Sequence, residues 1–185
     1  ERFASRHVTD VAVDAIFMDS YLSYDGRNLT ATTMTLSGGV DWLYTEDLTM
    51  TASASFFVAG DVGNAIRLTI SPTTWTPEGG SETTVEHLEC TITAYTSGTA
   101  VTVNAQHTVP AAFRTVAMTN WAKGVDELSG LDHLEAKSLA ILADGQVITN
   151  GIDAPLTTVA SGAVTLDRPY YVIHAGLPYC SDLET

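Results

Sequence analysis

Apolar and polar residues alternate along much of the chain, and the clearest run lies between Leu48 and Phe56. Five apolar residues in this run alternate with Thr and Ser, which places the apolar side chains on one face of a β-strand. Shorter alternating runs follow at 66–70, 88–94 and 101–103, separated by segments rich in Gly, Pro, Asp and Ser. Several short strands without a helical period between them predict a small antiparallel barrel or sandwich over residues 40–115.

The first 39 residues contain two further strand-like runs, 11–18 and 29–36. They flank the segment Tyr24–Arg27, in which the Asp-Gly pair favours a tight reversal. The pattern therefore predicts an N-terminal hairpin within residues 1–39, and it does not assign this hairpin to either of the larger units.

A second hairpin is predicted near the end of the chain. The run 139–142 leads through Ala143-Asp144-Gly145 into the run 146–149, which is typical of two strands joined by a tight turn. Further strands are predicted at 164–166 and 170–174. We therefore predict a second β-rich unit over residues 116–185. Within it, segment 121–134 is mixed in composition and acidic, and it is predicted to be a loop with at most a short helix.

The remaining segment, 109–114, is predicted to form a single helical turn, because Pro110 is tolerated at a helix start. Helix is otherwise scarce in this prediction. The 185 residues are 45% apolar and include 27 Thr but only 2 Lys, a skew that favours strands. The expected fold class is all-β, with little helix. No apolar run approaches the roughly 18 residues that a membrane span requires.

The two cysteines, Cys90 and Cys180, are too few for a disulfide framework and lack the spacing of metal ligands. Both lie in alternating apolar contexts, so two buried free thiols are expected. The sequence begins without an initiating Met and without a signal peptide, so we expect it to be a segment of a longer polypeptide.

The formal net charge of −14 comes from 22 acidic and 8 basic residues. This balance argues against ordinary nucleic-acid binding, which depends on Lys and Arg. An acidic surface is still suited to the wall of a conduit through which DNA slides, because repulsion prevents the polymer from sticking. Solubility is the alternative use of the same charge.

The densest cluster of metal-ligating residue types is Asp126, Glu127, Asp132, His133 and Glu135. It lacks the glycine-centred spacing of a calcium loop, so a solvated acidic loop is expected. The histidines are not spaced as a zinc pair and are expected to be structural; they are His7, His87, His107, His133 and His174.

No motif for nucleophilic catalysis or phosphate binding is present, so the chain is predicted not to be an enzyme and to need no cofactor or metal. Gly38-Gly39 and Gly79-Gly80 lack a following Lys. Asn28-Leu29-Thr30 matches the glycosylation sequon, which matters only in a secreted eukaryotic protein. Three tryptophans and seven tyrosines offer either a sugar-stacking platform or core packing; the tryptophans are Trp42, Trp75 and Trp121.

Several of these segments, taken as an ordered set, resemble tail proteins of tailed bacteriophages and prophages. Such proteins carry a domain like the FCCH β-barrel of ubiquitin-activating enzymes, and within short-tailed phages the chain resembles part of the tail tubular, or nozzle, protein. The resemblance spans roughly Asp14 to Thr185, and Leu128–Lys137 is its most specific segment. The others are 19–27, 57–68, 92–99, 109–111, 143–145 and 176–179.

The resemblance implies a structural role in the virion, with assembly in the cytoplasm of the bacterial host. Several copies, six being the expected number, would form a ring below the portal and adaptor. DNA would pass through the ring during ejection without specific binding, and acidic loops, including 126–135, would face the lumen. The resemblance implies no catalytic residues. It implies Gly where Ala136 stands and Thr or Ser where Cys180 stands.

Two other functions remain open from the sequence. One is a receptor- or glycan-binding domain of a tail fibre or tip, which would use Trp and Tyr rings as stacking surfaces. The other is a depolymerase-type hydrolase, which would require paired carboxylates lining a groove.

Overall fold

The computed structural model describes residues 18–71, 73–75, 81–83, 85–149 and 157–178. Strands make up 58% of these residues, and the helical residues belong to three short 3-10 helices: Ala59–Asp61, Ala111–Phe113 and Asp132–Leu134. The predicted all-β class is therefore confirmed, as is the helical turn predicted within 109–114.

The described residues contain fifteen strands. In chain order they are β1 (Met18–Asp25), β2 (Met34–Ser37), β3 (Leu48–Ala52), β4 (Ala65–Ile70), β5 (Thr73–Trp75), β6 (Ser81–Thr83), β7 (Glu86–Ser97), β8 (Ala100–Ala105), β9 (Ala117–Met118), β10 (Trp121–Ser129), β11 (Ser138–Ala143), β12 (Gln146–Thr149), β13 (Thr157–Thr158), β14 (Ala163–Tyr170) and β15 (Val172–Pro178).

The chain divides into two compact units. The central unit is Arg27–Gly124, and the terminal unit joins Glu1–Gly26 to Val125–Thr185. These boundaries differ from the predicted division at 39/40 and 115/116, because β1 and β2 join different units. Among the described residues, β1 and β2 do not form a hairpin with each other. β1 pairs with β15, whereas β2 pairs with β3 and β9; most of the predicted strand 11–18 lies outside the described residues.

The central unit is an antiparallel sheet in the order β4-β7-β8-β3-β2-β9, with the first four residues of β10 paired to β4. The strict alternation of β3 places Leu48, Met50 and Ala52 in the core and its threonines outside. β3 is shorter than the predicted run because the chain turns after Ala52, and the N–H groups of Phe56 and Phe57 donate to Gly98 O instead. The unit has its own core.

The terminal unit is built on the antiparallel order β1-β15-β11-β12, with β13 also paired to β11. The predicted hairpin at 139–149 is confirmed as β11 and β12. Asp144 and Gly145 have φ values of +48° and +78°, the left-handed pair that tight hairpin turns require. A second core fills this unit, and its fully buried members include Leu131, Leu139 and Ile173.

The loop predicted for 121–134 is wrong over most of its length, since β10 occupies Trp121–Ser129. Its first residues pair with β4 and its later residues with β14, so ladders to two partners distant in sequence stabilise a segment of mixed composition. The strand predicted at 29–36 is likewise shortened to β2, because Asn28–Thr33 forms a hydrogen-bonded turn.

Candidate functional site

The acidic cluster identified from the sequence does not form a cation site. Asp126 is half-buried and Glu127 is exposed, and the register of β10 against β14 shifts between Val125 and Glu127. Asp132, His133 and Glu135 are exposed on the segment that follows Gly130. Among the described residues, no group of three His, Cys, Asp or Glu side chains is placed to hold a metal ion.

Glu135 has a structural task in the terminal unit. Its carboxylate accepts the N–H of Ser161 at 3.1 Å and the N–H of Gly162 at 2.7 Å. Ser161 and Gly162 have φ values of +56° and +70° and turn the chain into β14, while Leu131 N donates to Gly162 O. The acid thus fastens segment 131–137 to the 160–163 turn.

Ala136 occupies a conformation that favours glycine. Its φ is +59°, and its N–H donates to Val159 O at 3.1 Å, while Val159 N donates to Lys137 O at 3.0 Å. The two hydrogen bonds hold the backbone in the left-handed region, where a Cβ costs about 1 kcal/mol. This is the position at which the resemblance implies Gly.

Two other carboxylates also organise loops. Asp144 accepts the N–H groups of Tyr171 and Val172, which ties the β11–β12 turn to the start of β15. Asp61 is 2% exposed, accepts the N–H of Val58 at 2.9 Å and pairs with Lys123. Carboxylates thus shape several loops of this fold, because one carboxylate accepts several backbone N–H groups at once.

Three of the described histidines, His87, His107 and His174, have a ring nitrogen within hydrogen-bond distance of a hydroxyl or carbonyl group. His174 is buried, with Nδ1 2.7 Å from Ser23 Oγ. His87 Nδ1 lies 3.0 Å from Thr69 Oγ1, and burial, aided by the charge of Arg67, lowers the pKa of His87. His107 and His133 are exposed, and His7 lies outside the described residues.

The tryptophans do not form an open stacking platform in the described part of the chain. Trp121 is 4% exposed, packs edge-on against Phe56 with ring centroids 4.8 Å apart, and donates its indole N–H to Thr32 O. Trp42 is half-buried, with the Arg114 guanidinium 5.5 Å from its ring centroid. The side chain of Trp75 lies outside the described part.

Cys90 is a free thiol buried in the central core, as predicted. Burial, with a smaller contribution from the charge of Glu89, raises its pKa to about 12. Because the thiolate is the reactive form, Cys90 is unsuited to nucleophilic or redox chemistry at neutral pH. Cys180 lies outside the described residues.

The side-chain amide of Asn28, the sequon residue, is fully hydrogen-bonded within the central unit. Nδ2 donates to Thr32 O and Thr119 O, both at 2.8 Å, and Oδ1 accepts Thr30 N at 3.0 Å and Thr30 Oγ1 at 2.8 Å. All four hydrogen-bonding positions of the amide are filled. The sequon is therefore a structural turn in this fold.

One surface feature stands out that sequence reasoning missed: the segment between β2 and β3, here named loop 38–47. Val40 is 86% exposed, Leu43 41% and Tyr44 58%, so three large apolar side chains within five residues face solvent. Exposed apolar side chains grouped within a few residues are a common feature of interaction surfaces. The available signal was the run Val40–Tyr44, which is mostly apolar but does not alternate.

Hydrogen bonds between residues of loop 38–47 fix its backbone. The Glu46 carboxylate accepts the N–H groups of Val40, Asp41 and Trp42 at 2.9, 3.0 and 3.3 Å. Desolvation opposes ionisation of Glu46, but the backbone N–H groups of residues 40–43 outweigh it, so its pKa is lowered. The carboxylate therefore remains charged and bound to the loop at neutral pH.

Two further contacts complete the support of this loop. Asn104 Nδ2 donates to Glu46 O at 2.8 Å, and Val109 N donates to Trp42 O at 2.8 Å. Trp42 has a φ of +61°, an uncommon value for a bulky residue that persists only where the surroundings impose it. The loop thus presents its apolar side chains from a fixed backbone.

Comparison with known proteins adds no relative to these observations, since neither the family models nor the curated proteins contain a match to this chain. Over the described residues, the structure contains no helix of the length and apolarity needed to cross a bilayer.

Proposed function

We propose that this chain is a structural component of a phage tail, part of the nozzle or tail tube below the portal and adaptor, in which several copies form a ring that conducts DNA during ejection. The observation that carries the proposal is loop 38–47. It is a pre-organised apolar surface on a chain of net charge −14, and such a surface suits permanent assembly better than solvation.

The use made of the polar side chains supports the same proposal. Glu46, Asp61, Glu135 and Asp144 each accept backbone N–H groups that shape a turn. A wall component needs rigid loops and has no moving chemistry to perform. Exposed acids such as Glu127 and Asp132 leave negative charge on the surface, which would keep DNA mobile in a bore.

The decisive experiment is electron microscopy of the parent particle, followed by single-particle imaging of the purified chain. The proposal expects density for this chain around the tail axis, in a closed ring of about six copies. A location on a side fibre, or a trimer at a fibre tip, would contradict it. If the ring is found, the charge on the surface of its bore tests whether acidic side chains keep DNA mobile there. A neutral or basic bore would refute that role.

A second candidate is a receptor- or glycan-binding domain of a tail fibre or tip. Exposed Tyr44, Tyr21 and Tyr95 favour it, since aromatic rings stack on sugars. The burial of Trp121 and the engagement of Trp42 with Arg114 weaken it. A glycan array distinguishes the two candidates: a structural ring gives background signal, whereas a fibre domain retains specific glycans and loses them in Y44A.

A further inference from the structure

The central unit exposes apolar residues at a second place, the turn 58–64 that leads into β4. Val58 is 58% exposed and Val62 50%. The turn is held by Asp61, which accepts Val58 N, and by Gly63 N, which donates to Ile92 O. Like loop 38–47, it is an apolar surface on a fixed backbone.

The two surfaces lie toward opposite ends of the strands of the central unit. Loop 38–47 enters β3 at the end where β8 finishes, since Asn104 donates to Glu46 O there. The turn 58–64 lies toward the other end, where β7 turns into β8, because the N–H groups of Phe56 and Phe57 both donate to Gly98 O. One surface of a copy is thus free to meet the other surface of a neighbour.

Charge decides which pairing is favourable. Asp41 and Asp47 are exposed beside the apolar tip of loop 38–47. Two such loops facing each other would bring these carboxylates together, and like charges across an interface are costly. The carboxylate within the turn, Asp61, is 2% exposed and paired with Lys123. The turn therefore offers apolar surface without a solvent-facing carboxylate of its own, so the acidic flanks of the loop meet no like charge from the turn.

We infer that loop 38–47 of one copy docks on the turn 58–64 of the next copy of this chain. The inference rests on the proposed ring and names its contact surfaces. A contact between two different surfaces is heterologous, and it closes into a ring when the rotation between neighbours allows. Val40, Leu43 and Tyr44 supply one side, and Val58 and Val62 supply the other.

The test compares four forms of the 185-residue chain by sedimentation velocity and mass photometry over a concentration series. The loop variant is V40D/Y44D, and the turn variant is V62D. The matched control is V147D, which places the same charge on a 61% exposed valine of the terminal unit. Circular dichroism spectra that match the unaltered chain show that each variant is folded.

The loop and turn variants are each expected to weaken association by about tenfold or more, while V147D associates as the unaltered chain does. Mixing the two variants should restore dimers, because the intact turn of one copy meets the intact loop of the other, but it should not restore closed rings. Such complementation is specific to a heterologous contact.

Each contrary result has its own meaning. Closed oligomers that survive in both variants would overturn the docking inference and leave the ring proposal standing. Loss of association in the variants without complementation on mixing would overturn the heterologous pairing. An unaltered chain that stays monomeric up to roughly 100 μM would remove the ring proposal itself, and the docking inference with it.

Discussion

Replacing Asn28 by alanine tests whether one amide side chain holds the entry to the central unit. The change removes four hydrogen bonds, two donated by Nδ2 to the carbonyls of Thr32 and Thr119 and two accepted from Thr30. Each hydrogen bond contributes about 0.5–1.5 kcal/mol net. Because the turn is only half-buried and water replaces part of the loss, we expect N28A to lower the free energy of unfolding by about 2–3 kcal/mol.

The measurement is urea unfolding of the full chain followed by Trp fluorescence, since Trp121 lies in the core of the same unit and donates to Thr32 O. L29A is the matched control, because Leu29 is the next residue and is 83% exposed. We expect L29A to change stability by less than about 0.5 kcal/mol. An N28A midpoint that coincides with that of L29A would refute the structural role of Asn28.

The aspartate variant separates the donors from the acceptors. N28D keeps an acceptor for the Thr30 groups but replaces the Nδ2 donors by an oxygen that faces two carbonyls. At neutral pH we therefore expect N28D to be at least as destabilised as N28A. Protonation restores one O–H donor, so N28D should regain stability relative to N28A as the pH falls through about 4. The same N28D/N28A difference at every pH would contradict this assignment.

Three further predictions concern single positions. A136G should raise the free energy of unfolding by about 0.5–1 kcal/mol, since it removes the cost of a Cβ at φ +59°. The control A112G, in the exposed 3-10 helix, should lower the free energy of unfolding by a similar amount. If both variants change the free energy of unfolding equally, Ala136 is not strained. Cys90 should resist alkylation by iodoacetamide at pH 8 in a C180S background and react only on unfolding, because burial raises its pKa to about 12; fast native labelling would contradict that burial. The pKa of Glu46 is lowered in the folded chain, so its support of loop 38–47 is complete above its unfolded value and is lost as the pH falls through the folded value. In acid, the amides of residues 40–42 should therefore exchange hydrogen faster than the intrinsic pH dependence of unprotected amides predicts. In E46A they should exchange faster already at neutral pH. Exchange at β8 should stay unchanged in both cases and serves as the internal reference.

The features predicted correctly from the sequence are those set by neighbouring residues. The hairpin β11–β12 follows from an Asp-Gly pair between two β-forming runs, and Asp144 and Gly145 adopt the expected left-handed conformations. The buried face of β3 follows from alternation. Each of these depends on a few consecutive residues, so the local pattern suffices.

The features that were missed depend on partners far along the chain. β1 pairs with β15, so Leu22 lies opposite Ala175, and no local signal identifies that partner. The mixed composition of Trp121–Ser129 predicts a loop, yet pairing with β4 and β14 stabilises this segment as strand β10. Tertiary pairing overrides propensity in both cases. The boundaries of the two units therefore differ from those predicted from the sequence.

The acidity of the chain illustrates the same limit at the candidate site. The net charge of −14 is read directly from composition, but composition does not distinguish a carboxylate that accepts backbone N–H groups from one that faces solvent. Glu135 and Asp132 are three residues apart and both exposed, yet the Glu135 carboxylate accepts the backbone N–H groups of Ser161 and Gly162 and so fastens the 160–163 turn. Both carboxylates contribute to the field that acts on DNA or on a neighbouring copy, but Glu135 in addition holds a turn. A charge-neutralising substitution at Asp132 should therefore alter association and salt dependence without unfolding the terminal unit, whereas the same substitution at Glu135 should act first on stability.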